Sequence, residues 1–371
     1  MKVLFISNDP TIFDSASDVR ARMHTYALAI GELHILSLAS KGACDRQEGN
    51  LFLHPVHTWK MFRVHVLTRR AHAIIGEYGI EVVSAQDPFE HGLAALRAVR
   101  GTNARLHVQV HTDFLSPWFV RGNMRMAFLN RYRRRIANRV LPAAAGIRAV
   151  SERVKASLIT RYGPRIQEPS VIPVLVDAIA LVPVSLPAHS FTFALIAVGR
   201  LEPEKRIEDI LVALKLVVKK YPMIGLCIVG TGSKRGRLER ITRSLNLEKH
   251  VLFLGGRPDA RGLMRSAQAF IQASAYEGYG RTLIEAALAR VPIITTDVGI
   301  VGDILKNNED VLSAPVADPT ALAHHILKLV EDNAVRQGLS ICAEATAREY
   351  LALIGDLPSR IADDLAKTIS L

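Results

Sequence analysis

The chain has 371 residues, a formal net charge of +12, a pI near 9.8, and 49% hydrophobic and 6% aromatic residues. That length favours two domains, each large enough to bury its own core, and no run of about 18 apolar residues marks a membrane span. Three widely spaced cysteines, Cys44, Cys227 and Cys342, fit neither a disulfide framework nor a metal spacing and point to a reducing cytoplasm, while the basic balance calls for an acidic partner.

Met1-Lys-Val-Leu-Phe-Ile-Ser7 is too short and too quickly polar for a signal peptide and reads as a first parallel strand. The following loop, from Asn8-Asp-Pro-Thr11 through Asp14-Ser-Ala-Ser17, leads to a helix start. Asp18, Arg20 and Arg22 read there as solvated, with polar ligand contacts as the alternative. Further strand-like runs are His34–Leu38, Val82–Ala85, Leu106–His111 and Ile147–Ser151, separated by amphipathic helical stretches. Alternation of this kind implies a mostly parallel sheet covered on both faces. Ser84-Ala-Gln-Asp87-Pro-Phe-Glu90-His91 and Val108-Gln-Val-His111-Thr-Asp113 bring polar groups to strand ends. A hydrogen bond from His111 to Asp113 is the purely structural reading of that histidine.

Between Arg121 and Arg139 there are seven arginines and no acid. Helical spacing places Arg131, Arg134, Arg135 and Arg139 on one side and Leu129, Ile136 and Val140 on another. Such a helix suits an anionic lipid surface as well as plain solvent. The stretch from Pro173 to Ser190, with Pro173, Pro183 and Pro187, reads as an interdomain connection. The expected layout is a first domain over 1–175, a linker over 176–190, a second domain over 191–349 and a final helix over 350–371.

The second run of strands is Ala194–Val198, Leu226–Val229, Val251–Leu254, Ala269–Gln272 and Ile293–Thr296. Its first strand leads through Gly199-Arg200 into a helix expected near Pro203, since proline is tolerated in a first helical turn. Arg200 and Lys205 fall at the strand end and helix start, on the side where ligands bind in open α/β sheets. Gly230-Thr-Gly232-Ser-Lys234 and Gly255-Gly256-Arg257 are further strand-to-helix turns. In Ala275-Tyr-Glu277-Gly-Tyr-Gly280-Arg-Thr282-Leu-Ile-Glu285-Ala-Ala, two carboxylates stand eight residues apart across a glycine-containing turn. Strand, loop and helix N-terminus make an anion site from unpaired N–H groups and the helix dipole, with an acid on either side of it. A sugar nucleotide has the matching shape, with hydroxyls at both ends and a diphosphate between.

These motifs resemble the Glu-x7-Glu signature and the Gly-Arg…Lys turn of glycosyltransferase family 4, retaining enzymes of the GT-B fold, and the resemblance extends over nearly the whole chain. It implies two Rossmann-like, doubly wound α/β domains facing a cleft, with the last helix, from Tyr350 onward, crossing back to the first domain. It assigns Glu277 to the donor sugar and Glu285 to the ribose. Gly278, Tyr279, Gly280, Arg281 and Thr282 go to the diphosphate loop, Gly230 and Gly232 to a nucleotide turn, and Arg257 to the base. Gly199-Arg200 and Lys205 would neutralise the leaving diphosphate, where preorganised cations stabilise growing negative charge. His111 aligns with the histidine that many members place beside the reacting sugar. The amino-terminal loop departs from the family's double-glycine loop.

The implied reaction moves a hexose-like sugar from a nucleoside diphosphate sugar to an acceptor hydroxyl with retention. The departing phosphate takes the acceptor proton, and neither a cofactor nor an essential metal is required. The basic helix favours a lipid-linked acceptor, cell-envelope polysaccharide or glycolipid synthesis, and a cytoplasmic protein resting on the inner membrane face. A sugar-nucleotide epimerase of similar fold and a non-catalytic nucleotide binder are the alternatives. Nucleic acid is disfavoured because the cations are not interleaved with aromatics.

Overall fold

Near-continuous apolar runs such as Val3-Leu-Phe-Ile6 are what a parallel sheet covered on both faces requires, and the computed structural model forms two such sheets from them. It describes residues 1–7, 9–15, 17–40, 42–121, 124–176 and 182–370. Asn8, Ala16, Lys41, Gly122, Asn123, the linker stretch 177–181 and Leu371 lie outside the described residues. Met1–Pro173 with Asp356–Leu371 form one compact unit, and Val174–Gly355 a second.

The first unit contains β1 (Lys2–Ser7), α1 (Asp18–Ile30), β2 (Glu32–Leu38), β3 (Arg46–Glu48) and β4 (Leu51–Val56). It continues with α2 (Arg63–Tyr78), β5 (Val82–Ala85), α3 (Glu90–Ala98), β6 (Arg105–Val110), α4 (Met124–Val140), β7 (Gly146–Ala149), α5 (Glu152–Tyr162) and β8 (Ser170–Val171). The strand order is β3-β4-β2-β1-β5-β6-β7-β8, parallel throughout except for the β3–β4 pair. Helix α1 starts where Ser17 accepts from the Arg20 N–H and stops at Gly31, whose φ of 107° suits glycine. Strand β4 was hidden in the sequence by His54 and Pro55. Pro55 lies beyond the last residue that β3 pairs with, so on that side no ladder donor is missed.

The second unit contains β9 (Phe193–Val198), α6 (Ile207–Val217), β10 (Ile224–Val229), α7 (Arg235–Ser244), β11 (Val251–Gly255) and α8 (Ala260–Ser266). It continues with β12 (Ala269–Ile271), α9 (Arg281–Leu288), β13 (Ile293–Thr296), β14 (Val311–Ala314), α10 (Pro319–Glu331) and α11 (Asn333–Ile354). All strands are parallel, in the order β11-β10-β9-β12-β13-β14. Numbered along the chain this is 3-2-1-4-5-6, the doubly wound order, whose ligand crevice opens beyond the carboxyl ends of its two central strands. Those strands are β9 and β12. The helix expected near Pro203 is instead a short 3-10 turn over Pro203–Lys205, with the α-helix proper starting at Ile207. Between them Arg206 turns left-handed (φ 46°) while its guanidinium holds Asp209 at 2.6 and 3.0 Å.

The last helix, α12 (Leu357–Ser370), packs in the first unit against α1, β6 and β7. Gly146 makes this possible: a Cβ there would stand 2.2 Å from Thr368 Oγ1. Among the described residues no helix is long and apolar enough to cross a membrane.

Candidate active site

At the carboxyl end of β9 the chain turns at Gly199, and at the end of β12 it reaches Gln272, Ala273 and Ser274; Gly199, Arg200, Lys205 and Gln272 line one small recess. The Lys205 ammonium reaches Glu277 Oε1 in a close ion pair, and Ser274 Oγ donates to the same oxygen at 2.7 Å. Both partners of the ion pair are mostly shielded, with side chains 17% and 15% exposed. Sheltered from water, the pair attracts more strongly than a surface pair does. Glu277 therefore points one fixed way, and Lys205 stays beside the strand-end turn.

Gly280, with φ 91°, caps α9 and its carbonyl takes the Leu283 N–H at 2.8 Å, so the first N–H groups of that helix, at Arg281 and Thr282, are the ones with no acceptor within it. Glu285 lies one turn along, buried, and receives Arg281 Nε at 2.9 Å. Arg281 is thus folded along its own helix. Thr282 Oγ1 donates to Gln272 Oε1 at 2.8 Å, and the Gln272 Nε2 is buried with no hydrogen-bond partner. That spare donor in a recess shared with Lys205 suits an anionic or hydroxyl-bearing ligand. Arg200 extends outward, 75% exposed, and pairs with Glu204 at 3.0 Å. Arg257 is paired with Asp259 at 2.6 and 2.8 Å.

Three of the predicted positions are constrained by packing. The Tyr279 side chain is buried and its phenol pKa is pushed up by burial, so only its backbone is left for a ligand. Gly230 and Gly232 are demanded by packing of the neighbouring loop. A Cβ at Gly230 would sit 1.9 Å from Gly199 O, and one at Gly232 2.5 Å from Leu201 O.

In the first unit, His111 follows β6 and is half-buried. Its Nε2 lies 3.0 Å from Gln109 Oε1, so its partner is Gln109 rather than Asp113, whose carboxylate accepts from Ser116 N at 3.2 Å. Burial first, and then the Arg148 charge, push the His111 pKa down from 6.5 to about 3. The ring is neutral at physiological pH. At the β1–β5 junction Ser7 Oγ donates to Gln86 Oε1 at 2.8 Å, and Asp87 forms a close contact with the buried His91. Arg20 is not solvated: it is buried against Glu48 and the carbonyls of Ile12 and Phe13. Arg134 also turns inward, donating to Phe114 O at 2.8 Å and Ser116 O at 2.7 Å. The outer face of α4 carries Arg131, Arg135 and Arg139 together with exposed Met124, Phe128 and Tyr132. Among the described residues no three His, Cys, Asp or Glu side chains group as metal ligands.

Residues 189–345 match the family model described as "Glycosyl transferases group 1", and residues 31–178 match that for "Glycosyltransferase Family 4". The chain belongs to the family 4 glycosyltransferases. It is 30% identical over 156 residues to the lipopolysaccharide core biosynthesis glycosyltransferase LpsD of Rhizobium meliloti, covering 42% of this chain and 44% of that one. The chain spans about half the length of the first curated relatives it matches. Sucrose-phosphate synthase from Thermosynechococcus elongatus shares the fold with a TM-score of 0.81 at 19% identity, over 99% of both chains. HepE from Anabaena, solved with UDP and glucose, does so with a TM-score of 0.74 at 19% identity over 100% of both. This family 4 chain therefore has the GT-B fold that its motifs imply. Sequence reading missed Gln272, Ser274, Gln109 and Arg148. The signal for the first two was a polar residue at the end of an otherwise apolar run.

Proposed function

We propose that this protein transfers a sugar from a nucleoside diphosphate sugar to an acceptor hydroxyl with retention of configuration. The carrying observation is the Lys205–Glu277 pair at the crossover of β9 and β12, beside the N-terminus of α9. An ammonium and the first amides of a helix suit a diphosphate, and an oriented carboxylate suits sugar hydroxyls. Arg200, exposed to solvent, and Lys205 would neutralise the leaving oxygen, and Glu285 would hold the ribose. His111, being neutral, serves as a hydrogen-bonding partner to a sugar hydroxyl and not as an acid. With no carboxylate acting as nucleophile, the departing phosphate takes the acceptor proton on the same face, and turnover needs no added divalent cation.

We place the reaction in cell-envelope polysaccharide or glycolipid synthesis. The name of LpsD and the outer face of α4 support this. Exposed Met124, Phe128 and Tyr132 recur at helical spacing among Arg131, Arg135 and Arg139, the pattern of a helix that rests on anionic lipid. Calorimetry with a panel of nucleoside diphosphates and their sugars tests the donor site. One nucleotide should bind tightly to the native chain and markedly less well to Lys205→Ala and Glu285→Ala. A chain that binds none of them is not acting as this transferase.

A further inference from the structure

Beneath His111 runs a hydrogen-bonded chain to which the proposed reaction gives no role. Its members are set by strand register: Ser84 is paired with His107 across β5 and β6, and Gln109 with Arg148 across β6 and β7. Arg148 is buried and donates three ways, from Nε to Ile172 O at 3.0 Å, from Nη2 to Pro173 O at 2.6 Å, and from Nη1 to Gln109 Oε1 at 3.1 Å. A guanidinium has hydrogens but no lone pair to offer, so the Gln109 amide atom facing it is the oxygen. The amide nitrogen then donates to Ser84 Oγ at 2.9 Å. Ser84 Oγ is 2.8 Å from His107 Nδ1, and His107 Nε2 is 3.0 Å from Asp364 Oδ2 on α12. One assignment satisfies every atom: Ser84 gives its hydrogen to Nδ1, and His107 gives its own to the carboxylate. The far end is anchored by a charge, so the near end cannot turn over without breaking the chain.

The same Gln109 oxygen lies 3.0 Å from His111 Nε2. Having only lone pairs to offer, it requires that His111 Nε2 carry the hydrogen. A neutral ring protonated at Nε2 has a bare Nδ1, which accepts hydrogen bonds and cannot give one.

We propose that Gln109, oriented by Arg148, is a positioning residue that fixes His111 as the Nε2–H tautomer and leaves Nδ1 to accept a hydrogen from a substrate hydroxyl. The substrate part rests on the transferase reading above; the tautomer does not.

Long-range nitrogen–proton correlation spectra of the full chain, labelled with 15N-histidine, test it. The His111 signals are identified by their loss in His111→Gln. The native ring should show a single Nε2–H pattern from about pH 5.5 to 8. Gln109→Met removes the oxygen and should give a mixture of tautomers. Gln109→Glu restores an acceptor, so the single pattern should return. Its new carboxylate, added to the field of Asp87, Arg148 and Arg22, should also move protonation of the ring to higher pH. A native ring that is Nδ1–H or averaged overturns the proposal, as does a pure Nε2–H pattern surviving in Gln109→Met. Should Gln109→Met fail to fold, the native and Gln109→Glu spectra decide. Binding of UDP, measured in parallel, separates the two levels: a native chain that binds no nucleoside diphosphate removes the transferase reading and leaves the tautomer result standing.

Discussion

Replacing His111 by glutamine should make the first unit resist acid better than the native protein. In the unfolded chain an imidazole takes up its proton below about pH 6.5, whereas the folded His111 does so only near 3. Across that window the unfolded state binds more protons, so stability falls as pH falls. Each pH unit is worth about 1.36 kcal/mol, and between about pH 7 and 4.5 the native chain should lose about 2.5 kcal/mol on this account alone. The other shifted histidines, His34 and His54 among them, act equally in both proteins and cancel in the difference. Both tryptophans, Trp59 and Trp118, belong to the first unit, so their fluorescence in urea reports its unfolding. His111→Gln can be less stable at pH 7, where it loses packing, yet the gap should close or reverse by about pH 4.5. Parallel pH profiles, differing by a constant to within about 0.5 kcal/mol, would refute a neutral His111 ring.

Gly230→Ala places a methyl 1.9 Å from Gly199 O and should cost about 1–3 kcal/mol, seen as a lower Tm, together with weaker nucleotide binding. An unchanged Tm would mean the two loops are not in contact. Asp364→Ala leaves the buried His107 Nε2–H without its acceptor. It should destabilise the first unit by about 1–3 kcal/mol in the same fluorescence assay, and a loss under about 0.5 kcal/mol speaks against the bond. Changing Arg131, Arg135 and Arg139 together to glutamine should weaken sedimentation with phosphatidylglycerol vesicles on the order of a hundredfold, from about 1 kcal/mol per charge. Equal binding would free α4 from any part in lipid contact.

The strands most legible in the sequence are those buried on both faces, because that environment leaves an uninterrupted apolar run. Strand β14 escaped because Val311-Leu-Ser-Ala314 is short and broken by Ser313, and β4 because His54 is satisfied by partners distant in sequence, His34 and Asp45. On α4, periodicity alone could not tell Arg134 from Arg135. The carbonyls that draw Arg134 inward belong to residues 114 and 116, twenty positions upstream or nearly so. Lys205 and Glu277 were each visible as candidates, yet their contact spans 72 residues and exists only because β9 and β12 are neighbours. Gln109 and Arg148 carried no motif. Their meeting depends on register, which no local pattern records.

The packing of α12 bears on how the protein is made. His107 and Asp364 are 257 residues apart, and the whole second unit is synthesised between them. At roughly 5–20 residues per second, the face of β6 and β7 around Gly146 waits on the order of 13–50 s on the ribosome for the helix that covers it. During that interval the emerging chain presents a buried histidine and a notch shaped for Thr368 to whatever is nearby.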